Sequence, residues 1–141
     1  MLDPAARDLA QGKNFAALTT MLPGGQPSTQ VMWLDADDEH ILINTEVGRQ
    51  KWANVSNDPR VAVTIMDATN PYYYAEVRGR VVQTVTGPEA RAHIDALAQK
   101  YVGRRYASPI RTERVILKIA ADRVRFHEEP PNSVGARQTD G

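Results

Sequence analysis

Hydrophobic and polar residues alternate along most of the chain, and this period of two predicts β-strands. Strands are expected at residues 15–20, 28–34, 40–44, 60–66, 72–85, 114–119 and 123–126. Turn-forming residues at 23–27 and 35–38 separate the first three strands. Connections this short join antiparallel strands, because a parallel crossover needs about a dozen residues or more. The pattern therefore predicts an antiparallel meander.

The longest predicted strand, residues 72–85, has two different faces. One face carries Tyr73, Ala75, Val77, Gly79, Val81 and Val85. The other carries Tyr72, Tyr74, Glu76, Arg78, Arg80 and Thr84. We expect the first face to pack in the core and the second to meet water, a ligand or a second subunit. Tyrosine mixed with charge on the second face is typical of protein interfaces, which favours a homodimer.

Helices are predicted where this alternation is interrupted. Asp3 before Pro4 is a typical helix start, and Gly12 ends that helix. A short helix is expected at residues 48–55 and an amphipathic one at residues 88–101. The apolar face of the latter comprises Ala90, Ile94, Leu97, Ala98 and Tyr101.

Together these elements predict a mainly β fold, a six- to seven-stranded antiparallel split β-barrel with two or three short helices. Residues 1–128 are expected to form one domain. The Pro-, Gly- and polar-rich residues 129–141 are expected to be a mobile tail.

Composition narrows the function. Lys and Arg total 17 against 17 Asp and Glu, and this balance argues against a nucleic-acid binder. The alternation also places Tyr72, Tyr73 and Tyr74 on opposite faces, which disfavours a base-stacking platform. The absence of cysteine excludes thiol chemistry, and the three scattered histidines give no metal motif. With no signal-peptide pattern and no apolar run of ~20 residues, we expect a soluble, cytoplasmic protein with no membrane partner.

Residues 44–52 leave a strand, turn at Gly48 and enter a helix. A helix N-terminus offers unpaired N–H groups and partial positive charge to an anion. Arg49 and Lys51 add two cations there, which is unfavourable for the helix unless an anion binds. The alternative is a solvated helix start whose basic residues pair with Glu46 or Asp58, and the residues alone leave both interpretations open.

Residues 29–33 mix polar and large apolar side chains on one strand. In a meander this strand neighbours the one ending at Asn44, so both are expected to border one pocket. A flat ring can lie against Val31 and Met32 there. The segment alone favours the simpler interpretation, in which Met32 and Trp33 are ordinary core and interface residues.

Two further features are open to more than one interpretation. His93 is expected on the exposed side of the helix predicted at residues 88–101. The basic residues at the end of that helix and after it can steer an anionic ligand or form a solvated loop, and they are Lys100, Arg104, Arg105, Arg111 and Arg114.

The order and spacing of several of these residues resemble a known superfamily. The pattern comprises Asn44-Thr45, Gly48-Arg49, Lys51, Asn54, Asp58-Pro59-Arg60-Val61 and the strand Tyr74-x-x-Val77-Arg78-Gly79-Arg80. It resembles the pyridoxamine 5'-phosphate oxidase-like split β-barrels over roughly residues 13–127. Within them it is most similar to the small actinobacterial branch that uses the deazaflavin coenzyme F420.

The resemblance implies a homodimer with two cofactor sites at the subunit interface. The cofactor phosphate is expected at Arg49 and Lys51. The ring is expected along Thr29, Gln30, Val31, Met32 and Trp33, with Asn44, Thr45 and Tyr74 completing the set. No side chain is expected to be catalytic, because hydride passes directly between the ring and the substrate.

The chain departs from the vitamin B6 oxidases of this superfamily at one strand. Those enzymes use flavin mononucleotide (FMN) and carry an arginine-rich strand where this chain has Ser28, Thr29 and Gln30. Their C-terminal substrate motif is also missing here. We therefore expect an F420-dependent oxidoreductase that reduces an unsaturated small molecule. An FMN-dependent enzyme and a non-catalytic cofactor-binding protein are the alternatives.

Overall fold

The computed structural model describes residues 1–128, so the predicted mobile tail at 129–141 lies outside the described residues. The strands are β1 Phe15–Met21, β2 Pro27–Met32, β3 Asp35–Ala36, β4 Ile41–Glu46, β5 Arg60–Met66, β6 Tyr74–Val85 and β7 Arg114–His127. The helices are α1 Pro4–Gln11, α2 Gln50–Asn57 and α3 Pro88–Val102. The predicted class is confirmed, because this part of the chain is mainly β, with seven antiparallel strands and three helices.

The strands form one curled sheet in the order β2-β1-β5-β6-β7-β4-β3. The long strands β6 and β7 pair along most of their length, with register shifts at Arg78/Gly79 and Val81/Gln83. Such shifts bend a strand and increase its twist. A Cβ added to Gly79 would fall on the carbonyl oxygen of Ala120, so only glycine allows the close approach of the two strands here.

Three predictions about the strands were wrong. Residues 35–38 were expected to form only a turn, but Asp35 and Ala36 form β3, which pairs with Leu42 and Ile41 of β4. Residues 114–119 and 123–126 belong to one strand, β7, because the register shifts absorb the break in alternation between them. The third error concerns β2 and β4, which are separated by four other strands and are not neighbours.

The core lies on the concave side of the sheet, beneath α1. It contains the residues that the period-two pattern placed inward, among them Val61, Val63, Ile65, Ala75 and Val77. The start of α1 is as predicted, since the Asp3 carboxylate accepts hydrogen bonds from the amides of Ala5 and Ala6 at 2.9 and 3.1 Å.

Helix α3 packs beside β7 and β4 through the predicted apolar face, whose five residues are all buried. Ile94, Leu97 and Tyr101 of this face form a second apolar cluster, against which Trp33 and Tyr106 pack. The rings of Trp33 and Tyr101 stack with centroids 5.2 Å apart. This cluster fixes Trp33, which follows β2, next to the helix.

Within residues 1–128, no helix combines the length and the apolar character that a membrane crossing requires.

Candidate functional site

A cavity of about 320 Å³ lies where the end of β2, the end of β4 and the start of α2 approach α3. Seven of the ten predicted site residues line it: Gln30, Val31, Met32, Trp33, Asn44, Arg49 and Lys51. Ile94, Leu97, Tyr106 and Arg114 complete the wall. The curl of the sheet therefore brings β2 and β4 to one cavity although the strands are not paired.

One side of this cavity is apolar and comes from the end of β2 and the residue that follows it. Val31 is 68% exposed, which is unusual for a valine in a strand. Met32 and Trp33 are half-buried and pack against the two apolar clusters. They thus line the cavity while also contributing to packing, so the two sequence-based interpretations of this segment are both partly right.

Another part of the wall is cationic and comes from the start of α2, which follows a turn at Gly48, whose φ of +95° is a conformation that favours glycine. Arg49 is the N-cap of α2, no side chain caps the helix, and its first turn contains no acidic residue. The Arg49 Nη2 atom donates to Glu46 Oε2 at 3.4 Å, while half of the Arg49 side chain remains exposed. Asp58, the other candidate partner, instead pairs with Arg60.

The side chain of Lys51 has no ion pair or hydrogen bond with any residue in the described part of the chain. Burial, together with the nearby charges of Arg49 and Arg114, holds the pKa of Lys51 below its ordinary value. The alternative of a helix start neutralised by its own acidic neighbours therefore applies in part to Arg49 and not to Lys51.

A half-buried polar network joins β4, α3 and β7, and none of its contacts was predicted from the sequence. Asn44 Nδ2 donates to the carbonyl oxygen of Ala90 at 3.1 Å and lies 3.0 Å from His93 Nδ1. Asn44 Oδ1 accepts a hydrogen bond from Arg114 Nε at 2.8 Å. Arg114 lies on the same face of β7 as Ile116, which is buried, but alternation alone does not show the network to which Arg114 belongs.

The prediction that His93 lies on the exposed side of α3 was wrong. Its ring is half-buried against β4, and burial is the main reason why its pKa is lowered from the ordinary value. The helix turns this side chain toward Asn44 because the residue after it, Ile94, occupies the apolar cluster.

The basic segment after α3 does not form one surface. Lys100 donates to the carbonyl oxygens of Ala10, Gln11 and Leu34, at 3.2, 3.2 and 2.6 Å, and so ties α3 to the end of α1. Arg114 is only 6% exposed. Of the five basic residues, Lys100 is therefore bonded within the fold and Arg114 is buried. This weakens the interpretation in which all five steer an anionic ligand.

Three predicted site residues lie outside the cavity. The hydroxyls of Thr29 and Thr19 are 2.7 Å apart across the β1–β2 hairpin. Thr45 is buried on the core side, and its Oγ1 has no hydrogen-bond partner within residues 1–128. Tyr74 lines a separate cavity, where its ring stacks on His127 at a centroid distance of 5.1 Å.

The cavity suits an anionic molecule with a flat apolar part. Three cationic side chains and the apolar residues at the end of β2 line the same cavity, and within residues 1–128 β2 is an edge strand, so its backbone groups on the side away from β1 have no strand partner there and can bond the rim of a ring. A metal site fits less well, since residues 1–128 bring no three His, Cys, Asp or Glu side chains together.

Comparisons with known proteins agree with this architecture. The sequence profile of the pyridoxamine 5'-phosphate oxidase family matches residues 2–128. An F420 reductase of known structure superposes with a TM-score of 0.77 at 30% sequence identity, over 88% of this chain and 98% of that chain. The conserved hypothetical protein Rv2991 from Mycobacterium tuberculosis superposes with a TM-score of 0.68 at 26% sequence identity, over 91% of this chain and 85% of that chain.

More distant structures share the fold alone. The general stress protein 26 from Bacillus anthracis superposes with a TM-score of 0.63 at 17% identity, over 89% of this chain and 92% of that chain. No curated protein sequence matches the chain.

Proposed function

Because the chain belongs to the pyridoxamine 5'-phosphate oxidase family, we propose that it binds the deazaflavin coenzyme F420 and transfers hydride to an unsaturated small molecule. The match over residues 2–128 and the 30% identity to an F420 reductase confirm the superfamily resemblance seen in the sequence. The choice of cofactor, the transfer reaction and the substrate are our proposal.

One observation carries this proposal: apolar residues at the end of β2 and cationic residues at the start of α2 line the same cavity. Val31 and Met32 offer a surface on which a flat ring can lie. Gln30 and the free edge of β2 supply polar groups for the rim of that ring. Arg49 and Lys51 supply the charges that a phosphate requires, and Lys51 has no other partner within residues 1–128.

The residues of this chain bind and orient rather than react. Within residues 1–128, no serine, cysteine or histidine side chain that could act as a nucleophile lines the cavity. When bound, the deazaflavin ring supplies the hydride chemistry. Trp33 and Leu97, held in the second apolar cluster, exclude water from one side of the cavity.

A second copy of the chain is proposed to close the site. At about 320 Å³ the cavity of one chain lies at the small end of the ~300–1,000 Å³ range of ligand pockets. Val31 also remains largely exposed at its rim. A homodimer would cover this open side, and it would allow Tyr74 of one chain to act in the site of the other.

The test is a pair of fluorescence titrations, with coenzyme F420 and with FMN, at one ionic strength. We expect tighter binding of coenzyme F420, because Ser28, Thr29 and Gln30 replace the arginine-rich strand of the FMN-dependent oxidases. Equal or reversed affinities would favour the FMN alternative. Tight binding of coenzyme F420 without reduction of any unsaturated substrate would favour a cofactor-binding protein.

A further inference from the structure

We propose that Arg114 is a third, fixed ligand of the anion in this cavity, beside Arg49 and Lys51. The inference rests on the proposed function, in which that anion is the phosphate-bearing arm of the cofactor. It adds a residue that lies far from the other two in sequence and that the helix-start motif does not contain.

The guanidinium of Arg114 is held in one orientation. Its Nε donates to Asn44 Oδ1 at 2.8 Å, and its Cζ lies 5.1 Å from the centre of the Tyr106 ring. Tyr106 is itself anchored to α3, since its amide donates to Asp95 and its carbonyl oxygen accepts from Arg91. A guanidinium stacked on a ring and bonded at Nε has little rotational freedom left to lose on binding.

The amide of Asn44 cannot turn its nitrogen toward Arg114 without losing two partners. The Nδ2 atom serves the Ala90 carbonyl oxygen and His93 Nδ1, so the oxygen must face the guanidinium. Asn44 and His93 are therefore positioning residues for Arg114. This explains why polar side chains occupy a half-buried place between β4 and α3.

The charge of Arg114 is only weakly compensated within the described residues. Its side chain is 5% exposed, and its buried Nη1 has no hydrogen-bond partner there. The nearest carboxylate oxygen, Glu46 Oε2, is 3.9 Å from Nη1. Because an arginine cannot lose its proton to escape the cost of burial, this atom requires an acceptor.

The Glu46 carboxylate already accepts hydrogen bonds from other groups. Its Oε1 accepts from the amides of Arg111 and Thr112 at 2.6 and 2.7 Å, and from the Thr112 hydroxyl at 3.3 Å. Its Oε2 also accepts from Arg49 at 3.4 Å. One carboxylate bonded in this way leaves the three cations around the cavity with an excess of positive charge.

An oxyanion with several acceptor oxygens, such as a phosphate, matches this arrangement. Arg114 lines the cavity, so its planar guanidinium can donate to one oxygen, while Arg49 and Lys51 approach from the start of α2. A neutral ligand would leave the positive charges of Arg114 and Lys51 uncompensated, so the arrangement favours the anion.

The experiment compares Arg114→Gln and Arg114→Lys with Arg104→Gln, which removes an exposed arginine of the same basic segment. Fluorescence titration with coenzyme F420 measures the affinity, and thermal unfolding confirms the fold of each variant. We expect Arg114→Gln to weaken binding roughly ten- to a hundredfold, as loss of a charge-assisted hydrogen bond does. Arg114→Lys should weaken it about tenfold because the ammonium cannot reproduce the fixed fork. Arg104→Gln should stay within about twofold of the wild type, since Arg104 does not line the cavity.

Wild-type affinity in folded Arg114→Gln or Arg114→Lys would overturn the inference. If Arg114→Gln does not fold, Arg114→Lys decides, because it keeps the buried charge. If wild-type protein binds neither coenzyme F420 nor FMN, the proposed function fails, and inorganic phosphate then tests Arg114 separately. A phosphate-induced rise in melting temperature that is lost in Arg114→Lys would support the role of Arg114. No rise in the wild type, or an equal rise in both proteins, would refute it.

Discussion

Arg49 and Lys51 stand two residues apart, but the structure compensates their charges differently. Arg49 pairs with Glu46, whereas Lys51 is half-buried beside two other cations and has no ionic partner within residues 1–128. The unpaired Lys51 ammonium therefore destabilises the unliganded fold. An anion that binds beside it relieves this destabilisation, which contributes to the binding free energy. The two side chains can be separated by their effects on stability.

We expect Lys51→Gln to raise the melting temperature of the unliganded protein and Arg49→Gln to leave it nearly unchanged. Removing a cation from a helix N-terminus stabilises by about 0.3–1 kcal/mol, but in Arg49→Gln the lost contact with Glu46 offsets this gain. Each variant should bind coenzyme F420 roughly ten- to a hundredfold more weakly. Thermal unfolding and fluorescence titration measure the two effects, with Lys13→Gln, an exposed lysine outside the cavity, as the control. Lower melting temperatures with unchanged affinity would show that the pair is structural.

His93 should make stability depend on pH between about 5.5 and 7.5. Its pKa in the fold is lowered by burial, with Lys100 and Arg114 adding to the effect and Asp35 and Glu89 opposing it. The unfolded chain therefore binds the histidine proton first as the pH falls below ~6.5. Stability contributed by the neutral ring is complete above that pH and declines as the pH falls toward the lowered pKa, by at most about 1.4 kcal/mol per pH unit.

Thermal unfolding at pH 7.5 and 5.5 tests this dependence. His93→Gln should lose less stability on acidification than the wild type, because the variant has no half-buried imidazole to protonate. The pKa of Asp58 is lowered to about 2 by its bonds with Arg60 and lies well below this window, so protonation of that carboxylate does not contribute. An identical pH profile in the wild type and His93→Gln would contradict the assignment.

Sequence predicted individual site residues best where a short motif contained them. Arg49 and Lys51 follow from a helix start, and Val31 and Met32 follow from one strand. Arg114 could not be found in this way, because its role depends on the docking of α3 over β4, which places Ala90 and His93 against Asn44. Contacts between residues about fifty positions apart leave no local pattern in the chain.

At the scale of elements, the close approach of β6 and β7 determines how the sheet curls. Gly79→Ala should destabilise the fold, because the new methyl group meets the backbone carbonyl of Ala120 rather than a side chain that can move. Overpacking of this kind costs about 1–3 kcal/mol. Urea unfolding measures the loss, and Thr84→Ala, at an exposed position of the same strand, is the control. Equal stabilities for the two variants would show that the strands can separate here without cost.

The errors in predicting elements have a common physical origin. Residues 35–38 are rich in aspartate, which favours turns. Ala36 is nevertheless buried and pairs with β4, because helix α1 packs beside β3. The break in alternation after Ile119 looked like a strand end, but the register shifts in β6 keep β7 continuous. Local propensity identified the elements, while pairing across the sheet decided their limits and neighbours.

At the scale of the whole molecule, the outer face of β6 and β7 is suited to a second copy of the chain. Register places Tyr74 opposite His127 and Glu76 opposite Arg125, so aromatic and charged groups share this face. Tyr72, just before β6, is 49% exposed. Such a mixture is typical of protein interfaces, and the second cavity, lined by Tyr74 and His127, gives the face a concave centre.

We therefore expect a solution mass of twice 15.6 kDa by light scattering. Tyr74→Glu should shift the mass toward 15.6 kDa, because the interface would bury a carboxylate in place of an aromatic ring. The same variant should bind coenzyme F420 more weakly if Tyr74 completes the cofactor site of the other chain. Val102→Glu, at an exposed position on α3, is the control and should remain dimeric with unchanged affinity. A wild-type monomer that binds coenzyme F420 tightly would contradict the interface site, because one chain would then suffice to hold the ring that Val31 leaves open to solvent.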